Sequence, residues 1–355
     1  MPFWLCSYIH TENKVNTSLK ELIYTLNNMK KIVIFNVGGA LSCYAHFNDK
    51  RVVIDLGASS EFSPVDDFLI PLAENQSFIK AAALGKPNHY YIDQLFLSHL
   101  DNDHISDYEK FREKFHPNYM TCPNENERQD NIFKIVKDFF TGESKVRKSV
   151  LSDMNLRTPD KPNSYGMSPS NPLVSIIPEI SLFYIRSNIC QSDPDLNSGY
   201  ANNISLVLFI RVGNKTLLMP GDILKEGMKY LIVNNVMDSN NREQFKTIIS
   251  QNGIDYLVAP HHGLQTSFSE DLFSSMAGNK TRLNIISEKE REEDSDENRS
   301  DVDSRYYSTD YSTGENTLEQ NAVKTSMGHI FIDFETNETE IKQYSDIQDV
   351  LNEFV

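Results

Sequence analysis

This sequence predicts a mixed α/β fold, on three observations. Short apolar runs rich in Val, Ile, Leu and Phe recur along the chain, the mark of buried strands. Stretches with apolar residues at helical spacing lie between them. The apolar runs also end repeatedly in His, Asp or Gly-Asp, which delivers functional groups at strand ends. The 355 residues suffice for one large domain or two ordinary ones, and 20 Phe and 16 Tyr supply bulky core material and argue against global disorder.

Residues 1–28 read as a polar leader with one short helical pattern at 18–26, either an accessory helix or an upstream extension before Met29. The remainder, 29–355, reads as the folded domain. Residues 32–37 are β-like and run into Gly38-Gly39. Residues 40–47 and 52–57 flank the turn Asn48-Asp49-Lys50 and read as a hairpin, the second strand ending in Asp55-Leu56-Gly57. Residues 64–84 mix helix and loop. The apolar run 92–98 ends in His99-Leu100-Asp101-Asn102-Asp103-His104, and an amphipathic helix at 106–115 is stopped by His116-Pro117. A helix at 130–140, a small basic cluster (Lys145, Arg147, Lys148) and a Pro/Ser/Asn-rich loop at 158–172 follow.

Strands are expected again at 180–185, 204–210 and 216–219, the last ending in Pro220-Gly221-Asp222. A helical region spans 224–249. The strand 256–259 leads into Pro260-His261-His262-Gly263, and a helix near 269–276 precedes the strand 283–286. Residues 288–305 carry nine acidic and four basic residues and read as a flexible acidic surface loop. A strand at 329–334 and an amphipathic helix close the chain.

The formal net charge of −16 counts against a generic nucleic-acid coat or an anionic-membrane binder, both of which need a large basic surface. Cys6, Cys43, Cys122 and Cys190 form no CxxC pair, so neither a zinc ribbon nor a disulfide framework is indicated. No run approaches the roughly 18 apolar residues of a membrane span. The expectation is a soluble, cytoplasmic protein.

At least three strands thus deliver candidate metal ligands: His99, Asp101, Asp103 and His104 from one, Asp222 from another, His262 from a third. Imidazoles and carboxylates crowded at one sheet edge call for cations, and two divalent ions, Zn2+ or Mn2+, suit this donor set. Residues two apart in the His-x-Asp-x-Asp-His run can share one ion, while the adjacent Asp103-His104 pair turns to a second and Asp222 bridges. Two such ions would deprotonate an attacking water near neutral pH.

These motifs, in this order, resemble the metallo-β-lactamase-fold hydrolases. The matching elements are Ile54-Asp55-Leu56-Gly57, Ser98-His99-Leu100-Asp101-Asn102-Asp103-His104, Pro220-Gly221-Asp222 and Pro260-His261-His262-Gly263. The resemblance covers roughly residues 30–335 and implies an αββα sandwich, two β-sheets flanked by helices. Within that superfamily the chain is most similar to the hydrolase domain of ComEC-type competence proteins. That similarity rests on Phe35-Asn36-Val37-Gly38-Gly39, on Asp101 in place of the commoner His, on Asn202-Asn203-Ile204-Ser205, and on Thr325-Ser326-Met327-Gly328.

The resemblance implies that Asp55 braces the metal loop from behind the ligands, and that Asn203 either contacts the first ion or holds the loop. His261 is open between substrate contact, general acid or base work, and a structural role; Asp103 and His261 are the candidate catalytic groups. The chain also departs from the pattern. The superfamily's histidine before the Gly-Asp strand has no counterpart, because Tyr200-Ala201-Asn202-Asn203 stands there. Ile105-Ser106-Asp107 replaces two glycines, Leu264 a small polar residue, and no channel segment is present.

The expected activity is a dinuclear phosphodiesterase or nuclease acting on a short nucleic acid or small phosphodiester, with protein partners unspecified. The alternatives are hydrolysis of a lactone, thioester or phosphorylated metabolite, and a non-catalytic metal-binding interaction protein.

Overall fold

A computed structural model describes residues 29–82, 86–123, 156–157, 175–240, 242–288, 302–335 and 339–355. The leader 1–28, the helix expected at 130–140, the basic cluster, the loop 158–172 and residues 289–301 of the acidic run lie outside the described residues.

Two sheets form the frame. The first contains β1 (Lys30–Ile34), β2 (Ser42–Phe47), β3 (Lys50–Leu56), β4 (Lys80–Ala81), β5 (Lys86–Phe96), β6 (Phe115–Thr121) and β7 (Leu156–Arg157). The second contains β8 (Ile180–Phe183), β9 (Val207–Val212), β10 (Lys215–Met219), β11 (Tyr256–Val258), β12 (Leu283–Ile286) and β13 (Ala322–Lys324). Two late strands, β14 (His329–Asp333) and β15 (Glu340–Tyr344), return to the first sheet, whose order is β15-β14-β1-β2-β3-β5-β6-β7 with β4 on β5. The second sheet runs β13-β12-β11-β10-β9-β8.

Side-chain alternation explains why these strands are apolar on both faces. Ile32 and Ile34 of β1, with Cys43, Ala45 and Phe47 of β2, meet Leu208, Ile210, Leu217 and Val258 of the second sheet in the core between the sheets. The opposite face of the first sheet, with Val33 and Tyr44, packs under helical segments 64–75, Tyr108–Lys114 and Ile347–Phe354. Helices Lys225–Val233, Phe245–Asn252 and Glu270–Ser275 cover the outer face of the second. The layers are therefore helix, sheet, sheet, helix, as expected from the resemblance.

The hairpin expected around Asn48 is the antiparallel β2–β3 pair, with Asn48 at φ 56°. β3 and β5 are parallel, as are β10, β11 and β12. The C-terminal ends of parallel strands share one edge, and that edge carries Asp55, His99, Asp222 and His261-His262. Open α/β sheets bind ligands at this edge.

The structure departs from the expected elements at several points. The helical region 224–249 is two helices, broken where Asn235 takes φ 46° and Met237 bridges to Gln244. Residues beyond the expected stop at Pro117 form β6, which is paired along β5 but on its other side meets only the two residues of β7 among the described residues. A near-edge strand of this kind tolerates proline. β13 and β15 were not expected: one has three residues, and the other is a polar edge strand with little apolar pattern. β9 begins at Val207, after a helical turn at Tyr200–Asn203.

Candidate metal centre

Asp55, the penultimate residue of β3, is fully buried at φ 56°. Its carboxylate accepts the Ser98 backbone N–H (2.6 Å) and the Ser98 hydroxyl (2.8 Å), and lies 2.9 Å from Nδ1 of His104. A carboxylate only accepts, so Nδ1 of His104 carries a proton, and the ring in its neutral form would present the Nε2 lone pair. These contacts place Asp55 behind the candidate ligand His104, beside Ser98.

Nε2 of His104 and Nε2 of His99 are both buried without a hydrogen-bond partner among the described residues. Their rings are 4.1 Å apart. Two adjacent buried imidazole nitrogens without partners are costly unless something electrophilic sits between them and the nearby carboxylates. His104 Nε2 is 3.2 Å from Asp222 Oδ1, and His99 Nε2 is 3.7 Å from Asp222 Oδ2 and 3.6 Å from Asp101. Asp222 therefore turns one oxygen to each histidine.

His262 enters from the second sheet. Its Nδ1 donates to the Ser287 carbonyl (3.0 Å), which leaves Nε2 toward Asp103 (3.1 Å) and Asp222 (3.8 Å). One atom each of Asp103, His104, Asp222 and His262 lies within 4.8 Å of the others. His261 presents Nε2 at 3.8 Å from Asp222 Oδ2, with Nδ1 3.4 Å from the Ser267 hydroxyl. Both histidines hold left-handed backbone, φ 52° and 58°, and the His261 N–H donates to the Gly221 carbonyl (3.1 Å). Two consecutive non-glycine residues in that region cost on the order of 1–3 kcal/mol each, a strain that concentrates at functional sites.

Titration behaviour points the same way. Burial alone would lower the pKa of His104, yet the Asp222 and Asp55 carboxylates outweigh it and raise it well above the ordinary value. Burial would likewise lower His262, but its contact with Asp103, with Asp222 nearby, raises it. Asp222 is held down despite burial, by His104 and His99. Without an ion the carboxylates thus draw protons onto His104 and His262; a divalent ion would take the place of those protons, and the donor set of imidazoles and carboxylates fits one.

Close packing fixes the two loops. A side chain at Gly57 would place Cβ 2.3 Å from the Asp103 carbonyl oxygen, and one at Gly221 would reach 2.8 Å from Ser98 Cβ. Asn203 is fully buried, donates to the Leu196 carbonyl (2.9 Å) and accepts the Leu224 N–H (3.2 Å). Of its two expected roles, these contacts are those of holding the loop just after Asp222.

Sequence reasoning missed several supporting groups. Ser98 binds Asp55, Ser287 orients His262, and Ser205 accepts the Asp222 N–H through its hydroxyl (3.2 Å). Ser106 and Asp107, where the resemblance has glycines, tie the metal loop to its neighbour. The Ser106 hydroxyl accepts the Ala58 N–H (2.8 Å), and Asp107 accepts from Ser63 (2.7 Å) and Val65 (2.9 Å). The local signal was only that each polar residue adjoins a ligand or an apolar run.

No family model matches this chain, and no curated protein matches it. Among solved structures it is similar to the metallo-beta-lactamase fold protein YhfI from Bacillus subtilis, at 13% identity and TM-score 0.32, over 74% of this chain and 98% of that one. A diphosphatase of the PhnP family matches at 12% identity and TM-score 0.34, over 72% and 85%. A long form RNase Z from yeast matches at 12% identity and TM-score 0.34, over 93% and 44%. These neighbours are proteins of the metallo-β-lactamase fold. At such scores the site is read from this chain's own topology and side chains. Among the described residues, no helix is long and apolar enough to cross a membrane.

Proposed function

We propose that the chain is a metal-dependent hydrolase of the metallo-β-lactamase type, related to the ComEC-type hydrolase domains, and that it acts on a phosphodiester. The observation that carries this reading is the meeting of Asp103, His104, Asp222 and His262 within 4.8 Å of one another, with the buried Nε2 of His99, unpartnered among the described residues, 3.7 Å from Asp222. Asp103, His104 and His262 would hold one divalent ion, His99 and Asp101 the other, with Asp222 between. His261 Nε2 lies 3.8 Å from Asp222 Oδ2, the oxygen that His99 and His262 also approach. Burial lowers its pKa, which makes it a poor general acid and a good nitrogen donor to an ion lacking the superfamily's usual histidine.

Divalent ions in this place would acidify water and offset the charge of a phosphoryl group. The chain's own residues do the rest. Asp55 fixes the tautomer of His104, and the Ser287 carbonyl fixes that of His262. Asp103, partly exposed at the open side and kept ionised by its contact with His262, is placed to orient a water by accepting its hydrogen bond.

The test is a panel of bis-p-nitrophenyl phosphate, single- and double-stranded DNA, RNA, cyclic nucleotides and a lactone, with Mn2+ or Zn2+, comparing wild type with His104→Ala. Metal-dependent turnover of a phosphodiester, lost in the variant, is expected. Turnover of the lactone alone would reassign the substrate class. Fewer than one ion per chain and no turnover of any substrate would overturn the hydrolase reading.

A further inference from the structure

A groove of about 1140 Å3 adjoins the candidate metal centre, and its lining includes Asp103 and residues 36–40, 58–62 and 345–347. Its described lining holds three carboxylates, Glu61, Asp103 and Asp346, and no Lys or Arg. Grooves that track a polynucleotide backbone are lined with cations, so this lining is the wrong one for a long polyanion. It also holds an aromatic wall. The rings of Phe62 and His329, both in the lining, lie 4.8 Å apart, and buried Phe35, outside the lining, is 6.0 Å from His329.

His329 is oriented as a donor. Its Nδ1 accepts the Asn36 backbone N–H (3.1 Å), so the ring proton sits on Nε2, which has no hydrogen-bond partner among the described residues. Burial lowers its pKa to about 4, so the ring is neutral at neutral pH. A neutral N–H held between two aromatic rings can bind an ester oxygen without attracting polyanions. Asp346 caps the C-terminal helix by accepting the Gln348 N–H (2.9 Å), which holds its carboxylate at the groove mouth.

We propose that this groove is the substrate subsite, that His329 donates Nε2–H to an oxygen of the bound ester, and that Glu61, Asp346 and Phe62 favour an ester whose far end carries an amine or ammonium group. This rests on the hydrolase reading above. Carboxylates draw the cation, the aromatic face of Phe62 adds cation–π attraction, and the candidate metal centre at the other end takes the phosphoryl group.

The experiment is calorimetric titration of the Mn2+-loaded protein with three ligands: a phosphonate monoester of a trimethylammonium alcohol, its uncharged tert-butyl isostere, and decathymidylate. The ammonium ester is expected to bind about ten-fold more tightly than the isostere. The Glu61→Gln/Asp346→Asn double variant, in which the helix cap is retained, should erase that preference. His329→Ala should weaken both esters about ten-fold, a loss of the size of one hydrogen bond, and His329→Gln, which keeps an N–H donor, should recover part of it.

Tighter binding of decathymidylate, survival of the preference in the double variant, or unchanged ester binding by a folded His329→Ala protein would each overturn the proposal. Absence of turnover with these preferences intact would instead count against the hydrolase reading alone.

Discussion

Asp55 shows how much one residue behind the ligands does. It spends both carboxylate oxygens on Ser98 and His104, so it sets the position of one histidine and the tautomer of the other. Asp55→Asn keeps the shape but offers one donor amide where an acceptor is needed. We expect metal affinity to fall about 10- to 100-fold with little loss of fold, read by competition with a chromogenic chelator. Unchanged affinity would mean that His104 is held by packing alone. The candidate ligands were visible in the sequence because they sit in short local motifs. Ser287 and Ser205 were not, because their partners His262 and Asp222 are 25 and 17 positions away. The role of His261 was left open by sequence, and its distance to Asp222 is what narrows it.

At the scale of elements, the metal loop and the strand before it fit too closely for change. Gly57→Ala drives Cβ into the Asp103 and Leu41 carbonyl oxygens, both backbone atoms that move only with their loops. Destabilisation of about 1–3 kcal/mol is expected, with weakened metal binding, seen together in denaturant melts run with and without Mn2+. A drop in stability without any change in metal affinity would show that the loop relaxes away from the site.

The C-terminal helix is the counterpart on the outer face. Phe354 is fully buried, with ring contacts to Tyr44, Phe68 and Phe331. Phe354→Ala should cost about 3–5 kcal/mol, measured as a shift in the denaturant midpoint. The sequence showed this helix through its amphipathic pattern. It did not show β6, β13 or β15, because a proline, a three-residue length and a polar edge each erase the apolar run on which strand reading depends.

At the scale of the whole molecule, charge and protonation set the working range. His46 is buried on the outer face of β2; burial pushes its pKa to about 4, and Arg51 and Lys31 push the same way. The unfolded chain titrates near 6.5, so between about 6.5 and about 4 the unfolded state binds more protons than the folded one. Stability is therefore full above that window and falls as pH drops through it, by about 3 kcal/mol for this group. Denaturant melts at pH 7.5 and pH 5 should show a loss that His46→Gln reduces; an equal loss in the variant would place the sensitivity elsewhere. Metal should act in the opposite sense. If ions hold Asp103, Asp222 and the histidines together, chelation should lower stability by about 4 kcal/mol relative to metal at a thousand-fold excess over its dissociation constant.

The pairing of β1 with β14 has one more consequence, in the order of synthesis. β1 is made early, yet one of its two neighbours lies nearly 300 residues later, and β15 then seals the edge. A growing chain would carry His99, Asp103, Asp222 and His262 well before its first sheet could close. Metal capture by nascent chains halted before residue 329 should accordingly be weak, so that ion uptake would wait for β14 to pair with β1.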